Sequence, residues 1–127
     1  MGYHHVDVAG VDPSPDRPSV TRSISDAAGL ENVAVNRYEV EPGEEIPLAY
    51  HYHDDQEEVF YVLSGALSVQ TPGRTYEVAA DEAFMVEPDS PQRAHVPEDA
   101  DEQAVALGIG APAVDDVHPY EPDEGGE

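Results

Sequence analysis

The stretch His51-Tyr52-His53-Asp54-Asp55-Gln56-Glu57-Glu58-Val59-Phe60-Tyr61-Val62-Leu63-Ser64-Gly65 decides how the rest of the chain is read. Two histidines at i and i+2 of a strand project from one face, as two ligands of one ion must. An acidic turn through Asp54 to Glu57 then returns the chain antiparallel, so that Glu58 at the start of the next strand can meet both imidazoles. Two histidines and one carboxylate on adjacent strands form a facial set with open positions.

The second half of the stretch is apolar on both alternating faces after Glu58. A strand with one wet face would alternate polar and apolar residues. If Glu58, Phe60 and Val62 point inward, then Val59, Tyr61 and Leu63 need a cover, either the N-terminal segment or a second subunit. A homodimer is the expectation.

Outward from this stretch, apolar residues recur with period two in short runs separated by Gly, Pro and Asp. Strands are expected near 33–41, 48–53, 57–63, 66–71, 75–79, 83–87, 92–96 and 103–109, with one helical turn around Ser25 to Leu30. Many short antiparallel strands give an all-β class: sandwich, jelly roll or small barrel. The 127 residues suffice for a single domain. Three prolines in residues 10–20 mark residues 1–21 as an extended N-terminal arm, residues 22–112 as the β-barrel domain and residues 113–127 as an acidic C-terminal tail.

Composition narrows the function. The chain carries 28 Asp plus Glu against five arginines and no lysine, a formal charge of −23. That self-repulsion fades when salt shortens the Debye length to about 3 Å near 1 M, so a halophilic, archaeal-type source is expected. Nucleic acid is excluded as a partner, because phosphate binding needs clustered Lys and Arg. Absence of cysteine removes disulfides, thiolate nucleophiles and iron-sulfur clusters, leaving nitrogen and oxygen ligands. The chain starts without a basic, apolar leader, and no run approaches the roughly 20 apolar residues of a membrane span. A cytoplasmic protein with no membrane partner is expected.

The quoted stretch resembles the first motif of the cupin superfamily, G-x5-H-x-H-x3,4-E-x6-G, with His51, His53, Glu58 and Gly65 on its last four fixed positions. Upstream, seven residues rather than five separate Gly43 from His51, an even insertion that keeps strand parity. The second motif, G-x5-P-x-G-x2-H-x3-N, is present in outline from Asp81 to Val96. Asp81 and Asp89 replace its glycines, Glu87 its proline and Val96 its asparagine, and Gln92 stands where the third histidine ligand is expected.

The resemblance covers residues 33–110 and implies a double-stranded β-helix with a divalent metal ion, Fe, Mn, Ni or Zn, inside the barrel. His51, His53 and Glu58 would be ligands, with Gln92, a neutral and weaker donor, as the fourth. His95 is the alternative fourth ligand, though an odd offset from Gln92 turns it the other way in a regular strand. Tyr50, Phe84, Met85 and Arg93 are candidate lining groups. His4, His5 and His118 read as surface residues.

Two functions follow from this resemblance. One is a metalloenzyme acting on a small oxygen-rich molecule, similar to cupin dioxygenases, sugar isomerases or decarboxylases. The other is a non-catalytic module in which the metal anchors a ligand or staples the barrel. A cavity beside the metal would separate them.

Overall fold

The computed structural model describes residues 2–46 and 49–121. Ten strands form in chain order: β1 (Val20–Ser23), β2 (Ala34–Val40), β3 (His51–His53), β4 (Glu57–Ser64), β5 (Ala66–Gln70), β6 (Thr75–Ala79), β7 (Ala83–Val86), β8 (Arg93–His95), β9 (Ala104–Ala111) and β10 (Val117–Pro119). One short helix, α1 (Ile24–Ala28), follows β1 and ends at Gly29 with a left-handed φ of 73°.

Every named strand pair is antiparallel. The first sheet runs β1-β2-β9-β4-β7. The two-stranded sheet β10-β3 and the three-stranded sheet β6-β5-β8 are joined by a single bridge between His51 and Gln92, and Glu45, ahead of β3, bridges His95. They thus form a second layer in the order β10-β3-β8-β5-β6. Two facing layers with this order make the all-β double-stranded β-helix.

Period-two patterning sets which residues the layers bury. On β4, Phe60 and Val62 are buried, while Tyr61 and Leu63 stay exposed on the outer side. On β2, Tyr38 and Val40 are buried. They meet Leu67, Val69, Val78, Ala94 and Val96 from the other layer in one hydrophobic cluster. Each Val or Leu among them contributes roughly 1.5–3 kcal/mol when fully buried.

The turns explain the motif's fixed positions. Gly65 sits between β4 and β5 at φ 73°, and a Cβ there would collide with the backbone carbonyl of Gln103. Asp81 and Asp89, standing where the motif has glycines, keep left-handed φ values of 68° and 64°. Aspartate is one of the few residues that visits this region at modest cost. The Asp89 amide donates to the His53 carbonyl at 2.7 Å, so this turn clamps the ligand strand.

Strand β3 begins at His51, later than the expected 48, and Leu48 lies outside the described residues. Val20–Ser23, at the end of the expected arm, pairs with β2. Val117–Pro119, in the segment expected as a tail, pairs with β3. Among the described residues, no helix is long and apolar enough to cross a membrane.

Candidate metal centre

Strand β3 presents His51 and His53 inward, each 6% exposed, with Tyr52 between them on the other face. The turn through Asp54 and Asp55 lets β4 start alongside, and Glu58 arrives opposite. Its Oε1 lies 3.9 Å from His51 Nε2 and 3.4 Å from His53 Nε2. Candidate ligand atoms of all three residues lie within 4.8 Å of one another.

Outer partners aim the two rings. His51 Nδ1 lies 2.7 Å from the Ala49 carbonyl, which only accepts, so Nδ1 carries the proton and Nε2 is left with its lone pair inward. His53 Nδ1 lies 2.8 Å from Asp116 Oδ1. Asp116 also accepts the backbone N–H groups of Asp55 at 2.6 Å and Gln56 at 2.9 Å. This is the carboxylate-histidine arrangement that fixes the tautomer and orientation of metal-binding imidazoles.

The electrostatics favour a cation between these groups. Glu58 raises the His53 imidazole to about 9, against the opposing effect of burial and with help from Asp116. Burial would lift the Asp116 carboxyl, but the Asp55 amide, His53 and the Gln56 amide outweigh it and hold it at about 2.

Gln92 is 2% exposed and bridged to His51 through the backbone. Its Nε2 donates to Glu58 Oε1 at 3.0 Å, and its Oε1 is buried without a partner. His53 Nε2 is likewise buried without a hydrogen bond, its carboxylate neighbour being Glu58 Oε1 at 3.4 Å. Orphaned buried polar atoms of this kind are costly. Rotating the Gln92 amide by half a turn presents Oε1 to the same space, so the donor set fits a divalent cation.

His95 faces away from this space: Gln92 and Ala94 are buried inward, while Arg93 and His95 are half-buried on the other side. Burial, assisted by Arg93, lowers the His95 imidazole. His118 pairs with Asp54 at 2.7 Å near the surface, and His4 and His5 are exposed.

A cavity of about 140 Å³ opens beside the cluster. Its walls include Asn36, Tyr38, Ile46, Gln56, Phe60 and Ala94. The expected lining groups are elsewhere. Phe84 and Met85 border a different groove, Arg93 pairs with Glu45, and Tyr50 packs on Tyr120. Parity excludes two of them: Met85 and Arg93 sit on outward faces of their strands, and Met85 is 67% exposed, whereas Phe84 lies opposite Phe60 on the inner face and packs on Tyr76.

Sequence reasoning missed Tyr38, Asn36, Gln56 and Asp116. The glycine spacing Gly108-Ile109-Gly110 was the available signal for two of them. A Cβ at Gly108 would lie 2.5 Å from the Tyr38 ring, and one at Gly110 2.6 Å from the Gln56 amide. Burial lifts the Tyr38 phenol to about 12, with Glu58 pushing the same way, so it stays a neutral donor.

Residues 36–109 match the family described as Cupin domain. Among curated proteins, polyketide synthase CurC of Streptomyces cyaneus is 32% identical over 87 residues, 64% of this chain and 53% of that one. The chain thus spans about half the length of this curated relative. Among solved structures, the polyketide cyclase RemF from Streptomyces resistomycificus superposes with a TM-score of 0.78 at 21% identity, covering 96% of this chain and 88% of that one. A sugar phosphate isomerase from Silicibacter pomeroyi gives 0.71 at 23% identity, covering 85% and 75%. At these identities the two structures show the fold alone. The family match extends over more than half of the sequence and takes in His51, His53, Glu58 and Gln92, and the chain therefore belongs to the cupin family.

Proposed function

We propose that this cupin holds a divalent metal ion on His51, His53 and Glu58, with Gln92 as fourth ligand, and binds a small oxygen-rich molecule beside it. The observation that carries this reading is the convergence of His51, His53 and Glu58 within 4.8 Å, with the buried, partnerless Gln92 Oε1 beside them. When bound, such an ion supplies a Lewis acid for a carbonyl or hydroxyl oxygen, or a site for dioxygen, in isomerase-like or dioxygenase-like chemistry. Two imidazoles with oxygen donors suit Fe, Mn, Ni or Zn.

The chain's own residues prepare the site. Ala49 and Asp116 hold the imidazoles in place, Phe60 and Ile46 keep one wall dry, and the cavity leaves room for a ligand. That cavity favours ligand binding over the alternative, a metal that only staples the barrel. The similar proteins are named for polyketides and sugar phosphates, and what we carry over is their shared richness in carbonyl and hydroxyl oxygens. Elemental analysis of untagged protein tests the reading. Wild type should carry about one divalent ion per chain and His51→Ala far less. Equal, negligible metal in both overturns it.

We also propose a homodimer and a salt-adapted cytoplasmic protein. Tyr61, Leu63 and Met85 are exposed on the outer face of β4 and β7, and β7 is the sheet edge. Sedimentation equilibrium and thermal melts from low to molar KCl test both, with a dimer and a rising melting temperature expected. A monomer throughout removes the first, and a flat melting temperature the second.

A further inference from the structure

The permanently charged cationic side chains of this chain are five arginines, all among the described residues. Arg22 and Arg37 both pair with Glu39, at 3.0 and 2.6 Å, and Arg93 pairs with Glu45 at 2.7 Å. Arg74 lies over the Tyr76 ring at 4.3 Å. Arg17 is exposed and borders a separate groove on the other side of Tyr38. Among the described residues, therefore, no arginine lines the cavity.

A phosphate or a second carboxylate reaching past the cluster would be buried without a cationic partner, which is strongly unfavourable. The −23 formal charge works in the same direction. Neutral recognition is well provided. Asn36 Nδ2 donates to the Tyr38 hydroxyl oxygen at 3.3 Å, so the hydroxyl proton is free for an acceptor in the cavity. Tyr38 is 7% exposed and wedged against Gly108, which fixes its ring. The volume of about 140 Å³ includes the space between His51, His53, Glu58 and Gln92, so beside an ion it suits a ligand smaller than the benzene held by a cavity of roughly 150 Å³.

We infer that the cavity takes an uncharged carbonyl-bearing molecule, or the uncharged end of a longer one, with one oxygen toward His51, His53 and Glu58 and another accepting from Tyr38. This rests on the metal reading above and adds the substrate class and the residue that positions it. A molecule held at both oxygens cannot turn in the cavity, so the two ends of the ligand are distinguished.

The test uses the full chain loaded with Co(II), whose visible spectrum reports ligands at the ion. Titrations run in 1 M KCl, so that long-range repulsion by the acidic surface is screened. Dihydroxyacetone and dihydroxyacetone phosphate are the matched probes, differing by the phosphate. Dihydroxyacetone should shift the spectrum, and its phosphate should bind at least fivefold more weakly. Tyr38→Phe should weaken dihydroxyacetone about fivefold, the loss of one hydrogen bond, with Co(II) stoichiometry unchanged. Phosphate ester binding as tight as the neutral probe or tighter overturns the inference, and abolition of that binding by Arg17→Ala would assign the phosphate to the adjoining groove. No response to dihydroxyacetone with Co(II) in place, or wild-type affinity in Tyr38→Phe, also overturns it. Failure of the wild type to take up Co(II) removes the metal reading itself, and this inference with it.

Discussion

The two ends of the barrel are built on the same strands and differ in one step of the inward-facing residues. Along β2 the inward series is Asn36, Tyr38, Val40; along β4 it is Glu58, Phe60, Val62; along β9 it is Gly110, Gly108, Ala106. Beside β8 the same progression reads Gln92, Ala94, Val96. At the metal end these positions are polar or glycine and leave a cavity. At the other end Val40, Val62, Leu67, Val69 and Val96 are at most 1% exposed and fill the space. The packed core and the candidate site are thus separated along the barrel axis. The packed end holds the strands in register, so the open end can keep a buried polar atom unpaired at a cost the rest of the fold offsets.

The sharpest way to break this comparison is to damage each end and ask whether the other responds. Leu67→Ala at the packed end should cost about 2–5 kcal/mol in denaturant unfolding, while metal content per folded chain stays at the wild-type level. Loss of metal at equal folded fraction would show that the ends are not separable. At the open end, Asp116→Asn should lower metal affinity tenfold to a hundredfold in competition with a chelator. The histidines and the barrel stay in place, because the carboxamide oxygen of the variant can still accept from the Asp55 and Gln56 amides. Unchanged affinity would reduce Asp116 to a turn residue.

The smallest expected effect concerns His95, on the outer side of β8. Its lowered imidazole binds its proton more weakly folded than unfolded, so its contribution to stability is complete above the unfolded value near 6.5 and is lost as pH falls below it. The facing groups are Arg93, which opposes protonation, and Glu45 and Glu77, which favour it. Between pH 7 and 5 the wild type should therefore lose ground relative to His95→Gln in melts of the metal-free protein. Parallel pH curves for the two proteins would remove this role.

Strand parity made much of this legible. His51 and His53 on one face, Glu58 across a short turn, and the inward run through Phe60 and Val62 follow from a period of two and one acidic turn. The same rule turned His95 away from Gln92. The lining groups Met85 and Arg93 failed because sequence proximity to the motif was given weight that parity denies them, whereas Phe84 shares the inward parity of Phe60 and borders a different groove.

What the sequence determined by itself was the class of fold, the three candidate ligands and the turn positions, even where aspartate replaces glycine, because these depend on local backbone geometry and on the spacing within one hairpin. What only the tertiary structure decided was the company those ligands keep: Asp116 brought 63 residues along the chain to His53, Gln92 bridged to His51, and Tyr38 and Asn36 set as neutral donors in a cavity that no arginine lines. The physical reason is that pairing between distant strands fixes these contacts: β10 pairs with β3 across about 60 residues, and the register between β2 and β9 is held by the packed core, neither being set by a local motif.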